Sequence, residues 1–343
     1  MPSEEFRPVY HPAGHDAELR FVVQELRAGR WVAMRNLLAG TADWAAWTRR
    51  TQVLAAVAAG TDTVRAWRSE EPHSLAATVM HARVAVERAT RAHQKEHPQT
   101  AALWHEAWEA CQVCAQQAPD DPVPWVCLLA LAPLDRGQRM ADHRLPPPGP
   151  MLFPGPWGLL AEVTKRDPAN REAHQRMLQF VYARNERGAL PEAVNYAHWA
   201  IVSAPSGSPV HTLPLYVRVE RYRRERGQER ALDMHWVTDD AIRDAQWALR
   251  NWFVPAHPAD SARSADSAAP AESSLLDLSH LAHALWGAHQ FQDAARVFRA
   301  LGPYYAPLPW VRRLRGGQDD TTHAAQELFL QARARCLLGA PGS

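Results

Sequence analysis

Isoleucine occurs only twice in the 343 residues, at Ile201 and Ile242, and lysine only twice, at Lys95 and Lys165. Strands draw on β-branched residues. With isoleucine this scarce and alanine about a sixth of the chain, the composition predicts helix. The missing lysine stands against 36 arginines. It matches the codon bias of a GC-rich bacterial genome, as in an actinobacterium. Four cysteines, Cys111, Cys114, Cys127 and Cys336, are too few for a disulfide scaffold of this length. A net charge of +1, from 38 basic and 37 acidic residues, lacks the basic excess of a nucleic-acid or membrane-surface binder. Apolar runs such as Val53–Ala59 are too short to span a bilayer, and the opening MPSEEFRPVYHPAGHD has no apolar core like that of a secretory signal. The phosphate-loop, dinucleotide, nucleophile-elbow and H-E-x-x-H signatures are also missing. These absences predict a cytoplasmic protein with reduced thiols, no standard cofactor, and neither nucleic acid nor membrane as partner.

What is present is amphipathic helix. Apolar residues recur at i, i+3, i+4 spacing over 16–28, 42–59, 73–95, 100–118, 169–187, 191–203, 210–226, 238–252, 275–288, 290–300 and 320–338. Prolines preceded by a polar residue mark helix starts at Glu71-Pro72, Asp121-Pro122, Asp167-Pro168 and Ser208-Pro209. Prolines 72, 122, 168 and 209 lie 50, 46 and 41 residues apart, with a second breaker inside each interval. A loose period of this size predicts a stacked helical array. Two stretches fall outside it. LPPPGPMLFPGPWG (145–158) is a proline-rich loop carrying Phe153 and Trp157, readable as polyproline or as an ordered cover over a groove. Residues 255–274 are small, polar and proline-rich, which predicts a flexible linker between a helical body (1–254) and a C-terminal helical piece (275–343).

The segment MLQFVYARNERGALPEAVNYAHWAIVSAP (177–205) places Gly188 at an inter-helix turn, Ala193, Ala197 and Ala200 on the second helix, and Pro205 at its end. Segment 278–307 places Leu281, Leu285, Ala294, Phe298 and Pro307 likewise, and Ala107, Cys111, Cys114 and Pro119 form a third, partial set. This pattern resembles the tetratricopeptide repeat, a helical hairpin with small residues on its second helix. The resemblance implies an all-α, right-handed α-solenoid of hairpins, with the proline-rich loop and a linker before the C-terminal helices. It also implies a concave groove that holds a protein or peptide, lined from the first helix of each pair. Carried onto this chain, those positions are Gln175, Leu178, Tyr182, Asn185 and Glu186 in one hairpin, and Ser279, His283 and Trp286 in the other.

Other motifs point to chemistry. His93-Gln94-Lys95-Glu96-His97 has the H-x-x-E-H spacing of a zinc peptidase helix, with Glu172 or Glu162 at the separation of a further ligand. Pro98 ends the helix at that point, which favours a polar helix end over a metal site. Cys111 and Cys114, with Cys127 beyond, lie inside a helix and not at its start, which favours buried packing over a redox pair. His280, His283 and His289 cluster on one segment. The run RVERYRRERGQER (218–230) alternates arginine with glutamate, as a solvated face with i,i+4 pairs does. Arg312, Arg313 and Arg315 form a smaller basic cluster near Trp310. The fourteen tryptophans divide between gap-filling and a binding surface. The resulting expectation is a scaffold or adaptor, regulatory in one form, that binds a protein or peptide. The alternatives are an all-helical enzyme (a metal-dependent hydrolase or a tailoring enzyme of specialised metabolism) and a small-ligand sensor with a tryptophan-lined cavity.

Overall fold

The computed structural model describes residues 6–184, 188–225, 232–257, 273–314 and 321–338. These residues are 72% helical and include no strand; two isolated bridges, Val9 with Tyr304 and Leu145 with Gly155, are the extended pairings. The protein is all-α. No helix among the described residues is long and apolar enough to cross a membrane.

Two compact units divide the chain, Asp16–Trp199 and the pair Met1–His15 with Ala200–Ser343. The first contains α1 (Ala17–Arg27), α2 (Val32–Ala39), α3 (Trp44–Ala58), α4 (Thr63–Glu70), α5 (Leu75–Gln94), α6 (Thr100–Gln117), α7 (Val123–Leu131), α8 (Trp157–Arg166) and α9 (Arg171–Arg184). Helix α10 (Ala189–Ser203) follows α9. The second unit contains α11 (Leu213–Glu225), α12 (Asp239–Ala248), the short α13 (Val254–Ala256), α14 (Leu275–Gly287), α15 (Phe291–Leu301), α16 (Trp310–Arg313) and α17 (Thr321–Leu338). A π-turn, Leu249–Phe253, joins α12 to α13 and buries Leu249, Trp252 and Phe253.

Side chains at the helix starts explain where the elements begin. Asp43 accepts from the backbone N–H groups of Ala45 and Ala46 at the start of α3, and Ser274 accepts from Leu276 at the start of α14. Such caps satisfy backbone donors that have no partner within the helix. Of the proline signals, Asp121 and Ser208 hold, accepting from Val123 N at 2.7 Å and Val210 N at 3.2 Å, and the other two are displaced by three residues. Ser74, not Glu71, caps α5, and Asn170 Oδ1 accepts from Ala173 N at the start of α9. Asp167 instead holds the Asn170 side-chain amide at 2.8 Å.

In the first unit α5 packs against α3, α4, α6 and α7. Ala77, Ala82, Ala85, Ala89 and Ala92 are buried along it, and their small side chains let several helices approach one rod. In the second unit Leu278, Leu281 and Leu285 of α14 share one core with Val297 and Phe298 of α15, Trp310, and Phe329 of α17. That core also takes Leu215, Ala245 and Trp252 from before the 255–274 segment. Residues 258–272 of that segment lie outside the described residues.

Candidate functional site

The first candidate is the α9–α10 hairpin. Helix α9 buries Ala173, Met177, Phe180 and Val181, and leaves Gln175, Gln179 and Tyr182 half-buried or exposed. Their spacing of four and then three residues puts the last three on one face. The helices run antiparallel: His174, near the start of α9, places Nδ1 2.8 Å from the Tyr196 hydroxyl, and Arg184, at its end, donates to Glu192 early in α10 at 2.8 Å. Ala193, Ala197 and Ala200 are fully buried on α10. Of the positions that the repeat resemblance puts in a groove, Gln175 and Tyr182 are half-buried, with the Gln175 Nε2 and the Tyr182 hydroxyl turned away from solvent. Leu178 is buried, and Asn185 and Glu186 lie outside the described residues.

The proline-rich loop is pinned over this hairpin. Phe153 is buried with its ring centroid 6.1 Å from that of Phe180 and 6.0 Å from that of Tyr196. Trp157 Nε1 donates to Phe153 O at 2.7 Å, Arg184 Nη1 donates to Pro154 O at 2.6 Å, and Asn195 Nδ2 donates to Met151 O at 3.1 Å. Gly155 is required here, because a Cβ would sit 3.0 Å from the Phe153 ring and 3.2 Å from that of Phe180. The loop is therefore an ordered cover.

The second candidate surrounds α14. Ser279 faces inward; its Oγ accepts from Trp310 Nε1 at 2.9 Å and donates to Ala306 O at 3.3 Å. His283 is buried, with Trp236 edge-on at 4.5 Å, Trp310 at 5.0 Å and Trp286 at 6.1 Å between centroids. Neither of its ring nitrogens has a hydrogen-bond partner among the described residues. Burial, reinforced by the charge of Arg313, pushes its basicity far below the ordinary value, so the ring is neutral. Ser279 and His283 thus belong to the interior, while Trp286 is half-buried. Arg313 Cζ lies 5.1 Å from the Trp286 ring centroid, 5.4 Å from that of Trp236 and 5.9 Å from that of Tyr222. A cation over an aromatic face gains about 0.5–1 kcal/mol where exposed and about 2 where desolvated. Gly287 leaves room for this arrangement, since a Cβ there would meet Trp236 at 3.0 Å and Arg313 Nη1 at 3.4 Å. Proximity in sequence associates Arg313 with Trp310. The other walls come from α11, the turn Leu232–Trp236 and α14, and no local spacing reveals them.

The remaining motifs are held in structural roles. Glu172 pairs with Arg83 at 2.8 Å and Glu162 with Arg166 at 2.6 Å, so neither joins His93 and His97 as a ligand. His97 Nδ1 accepts from Gln99 N at 3.2 Å. Glu96 has φ +52° just past the end of α5, so the three residues do not share a helix face. Among the described residues no group of three or more His, Cys, Asp or Glu side chains is placed to hold a metal. All four cysteines are free and buried. Burial pushes the Cys111 and Cys114 thiols up. Burial opposes ionisation of Cys127 as well, but the hydrogen bond from Cys111 and the Arg83 charge outweigh it and hold that thiol below its ordinary value. In the basic run, Arg221 pairs with Glu225 at 2.7 Å, Arg224 with Glu220 at 2.7 Å, and Arg223 also with Glu220.

The chain matches no known protein family, no curated protein and no solved structure.

Proposed function

We propose that the protein is a scaffold of tetratricopeptide-like hairpins, arranged as a right-handed α-solenoid, that binds a protein or peptide partner in the bacterial cytoplasm. One observation carries this reading. The α9–α10 hairpin buries Ala193, Ala197 and Ala200, the small positions that close packing needs, while Gln175, Gln179 and Tyr182 form a continuous half-open stripe on the first helix. The exposed amide of Gln179 offers hydrogen bonds to an extended backbone, and the Tyr182 ring, whose hydroxyl is buried, offers a flat apolar surface to a side chain. Phe153 and its loop hold the hairpin rigid, which lowers the ordering cost of binding. The free, buried cysteines are in keeping with a reducing compartment.

The test is selection of a binder from a displayed random-peptide library against the full chain, followed by calorimetry. Gln175→Ala combined with Tyr182→Ala is expected to weaken the selected peptide at least ~10-fold, the effect of losing one good contact, with an unchanged melting temperature. A library that yields no binder, or a binder indifferent to both substitutions, overturns the reading.

A further inference from the structure

We propose that Tyr222, Trp236 and Trp286 form a guanidinium-binding box that Arg313 occupies from within the same chain, and that an arginine of another molecule enters it when Arg313 leaves. The inference rests on the second unit alone and needs neither α9 nor a bound peptide. Three aromatic rings surround one guanidinium carbon at 5.1, 5.4 and 5.9 Å. Tyr222 and Trp236 are buried, whereas Trp286 and Arg313 are half-buried, so the box has an open side. Gly287 keeps that space clear on α14.

A second observation is independent of the rings. His283 is 1% exposed and touches both Trp236 and Trp286, yet neither of its nitrogens has a hydrogen-bond partner among the described residues. A buried polar group without a partner is costly and calls for an explanation. A neutral imidazole always carries one acceptor nitrogen. Arg313 does not reach it, so the acceptor is left for an N–H donor of an untethered ligand that seats deeper between the indoles. It also separates guanidinium from quaternary ammonium, which stacks on aromatic faces but has no N–H to give.

The tethered Arg313 competes with any incoming cation at an effective concentration in the millimolar range, so the native chain binds an external ligand weakly. Arg313→Ala opens the box. Titrating this variant with methylguanidinium, followed by tryptophan fluorescence and melting temperature, is expected to give a saturable fluorescence change and a rise in melting temperature. The apparent affinity is expected to be at least ~10-fold tighter than in the native chain, because the competitor is gone. Tetramethylammonium is expected to bind less tightly, and Trp286→Ala in the Arg313→Ala background to abolish the response. A response that never saturates, that is equal in the native chain, or that survives loss of Trp286 overturns the proposal. Should Arg313→Ala not fold, Arg313→Met keeps the apolar stem and is tested in its place. Recovery of either variant by refolding with methylguanidinium supports the proposal, and failure of both to recover overturns it. Free L-arginine and N-acetyl-arginine methylamide separate the two sources of the group. Binding of both points to a metabolite-sized ligand, and binding of the blocked form alone points to an arginine within a polypeptide. Binding of neither overturns the proposal.

Discussion

Arg83 of α5 and Glu172 of α9 form an ion pair at 2.8 Å with both side chains 4% exposed, joining residues 89 positions apart in the chain. Arg83 also donates to Thr48 O at 3.2 Å, and Glu172 accepts from Arg176 at 2.8 Å. Burial alone would raise the Glu172 carboxyl, but Arg83 and Arg176 outweigh it and hold it below the usual carboxylate range. Removing one partner leaves a buried charge uncompensated, which costs about 3–5 kcal/mol. Arg83→Met and Glu172→Leu are therefore each expected to lower stability steeply in urea unfolding. The double variant Arg83→Met/Glu172→Leu is expected to lose much less than the sum, because neither charge is stranded. Additive losses would contradict the pairing.

The pH dependence follows from buried imidazoles. Burial pushes His174 down to about 4, against an ordinary 6.5, while the Tyr196 hydroxyl lies 2.8 Å from its Nδ1. His81 and His235 are also pushed down to about 4, in each case mainly by burial. The folded state then binds fewer protons than the unfolded chain between these values. Their contribution is complete above pH 6.5 and is lost as pH falls toward 4. Asp121, raised to about 6 by burial, and Asp167, also raised by burial, act in the opposite sense, but burial lowers His93, His143, His211, His257 and His283 as well. Unfolding free energy is expected to decline from pH 7 to pH 4.5. His174→Phe is expected to flatten that decline, since its shift alone amounts to on the order of 3 kcal/mol. An unchanged pH profile in the variant would contradict this assignment.

The thiols give a sharper contrast. Cys111, Cys114, Cys127 and Cys336 are all buried, so Cys127 is inert in the native state despite its lowered pKa, because access fails before ionisation matters. A disulfide-exchange reagent is expected to label none of them rapidly in native protein and all four in denaturant. Rapid labelling of one thiol in the folded state would place it at the surface.

Phe153 anchors the 145–158 loop among Trp157, Phe180 and Tyr196. Phe153→Ala is expected to cost about 3–5 kcal/mol and to expose the loop to limited proteolysis, read as a cut between α7 and α8. A variant of native stability and unchanged protease resistance would remove the loop from the account.

Periodicity locates α14 and α15 to within about a residue; α15 keeps one apolar stripe against the shared core, while α14 is buried on almost every side and its Leu278, Leu281 and Leu285 still recur at helical spacing. The same rule misses α7. Its sequence VPWVCLLAL is apolar all round, and every residue but Trp125 is buried, so no stripe exists to be found. Helices α2 and α4, of eight residues each, are too short for the period to stand out. Helix α8 starts directly behind the prolines of the loop. The candidate sites divide in the same way. Gln175 and Tyr182 share one helix face, and their spacing is visible in the sequence. The box around Arg313 is assembled from Tyr222, Trp236 and Trp286, and only tertiary packing brings them together.

Photo-crosslinking on the α9 stripe tests partner binding most directly. Gln179 is exposed between Gln175 and Tyr182, and Val113 is exposed on α6 of the same unit. p-Benzoylphenylalanine is placed at each position in turn, and the library-selected peptide is added before irradiation. The account predicts a covalent adduct at position 179, suppressed by excess unlabelled peptide, and none at position 113. An adduct at 113 without one at 179, or no adduct at either position under saturating peptide, would contradict it.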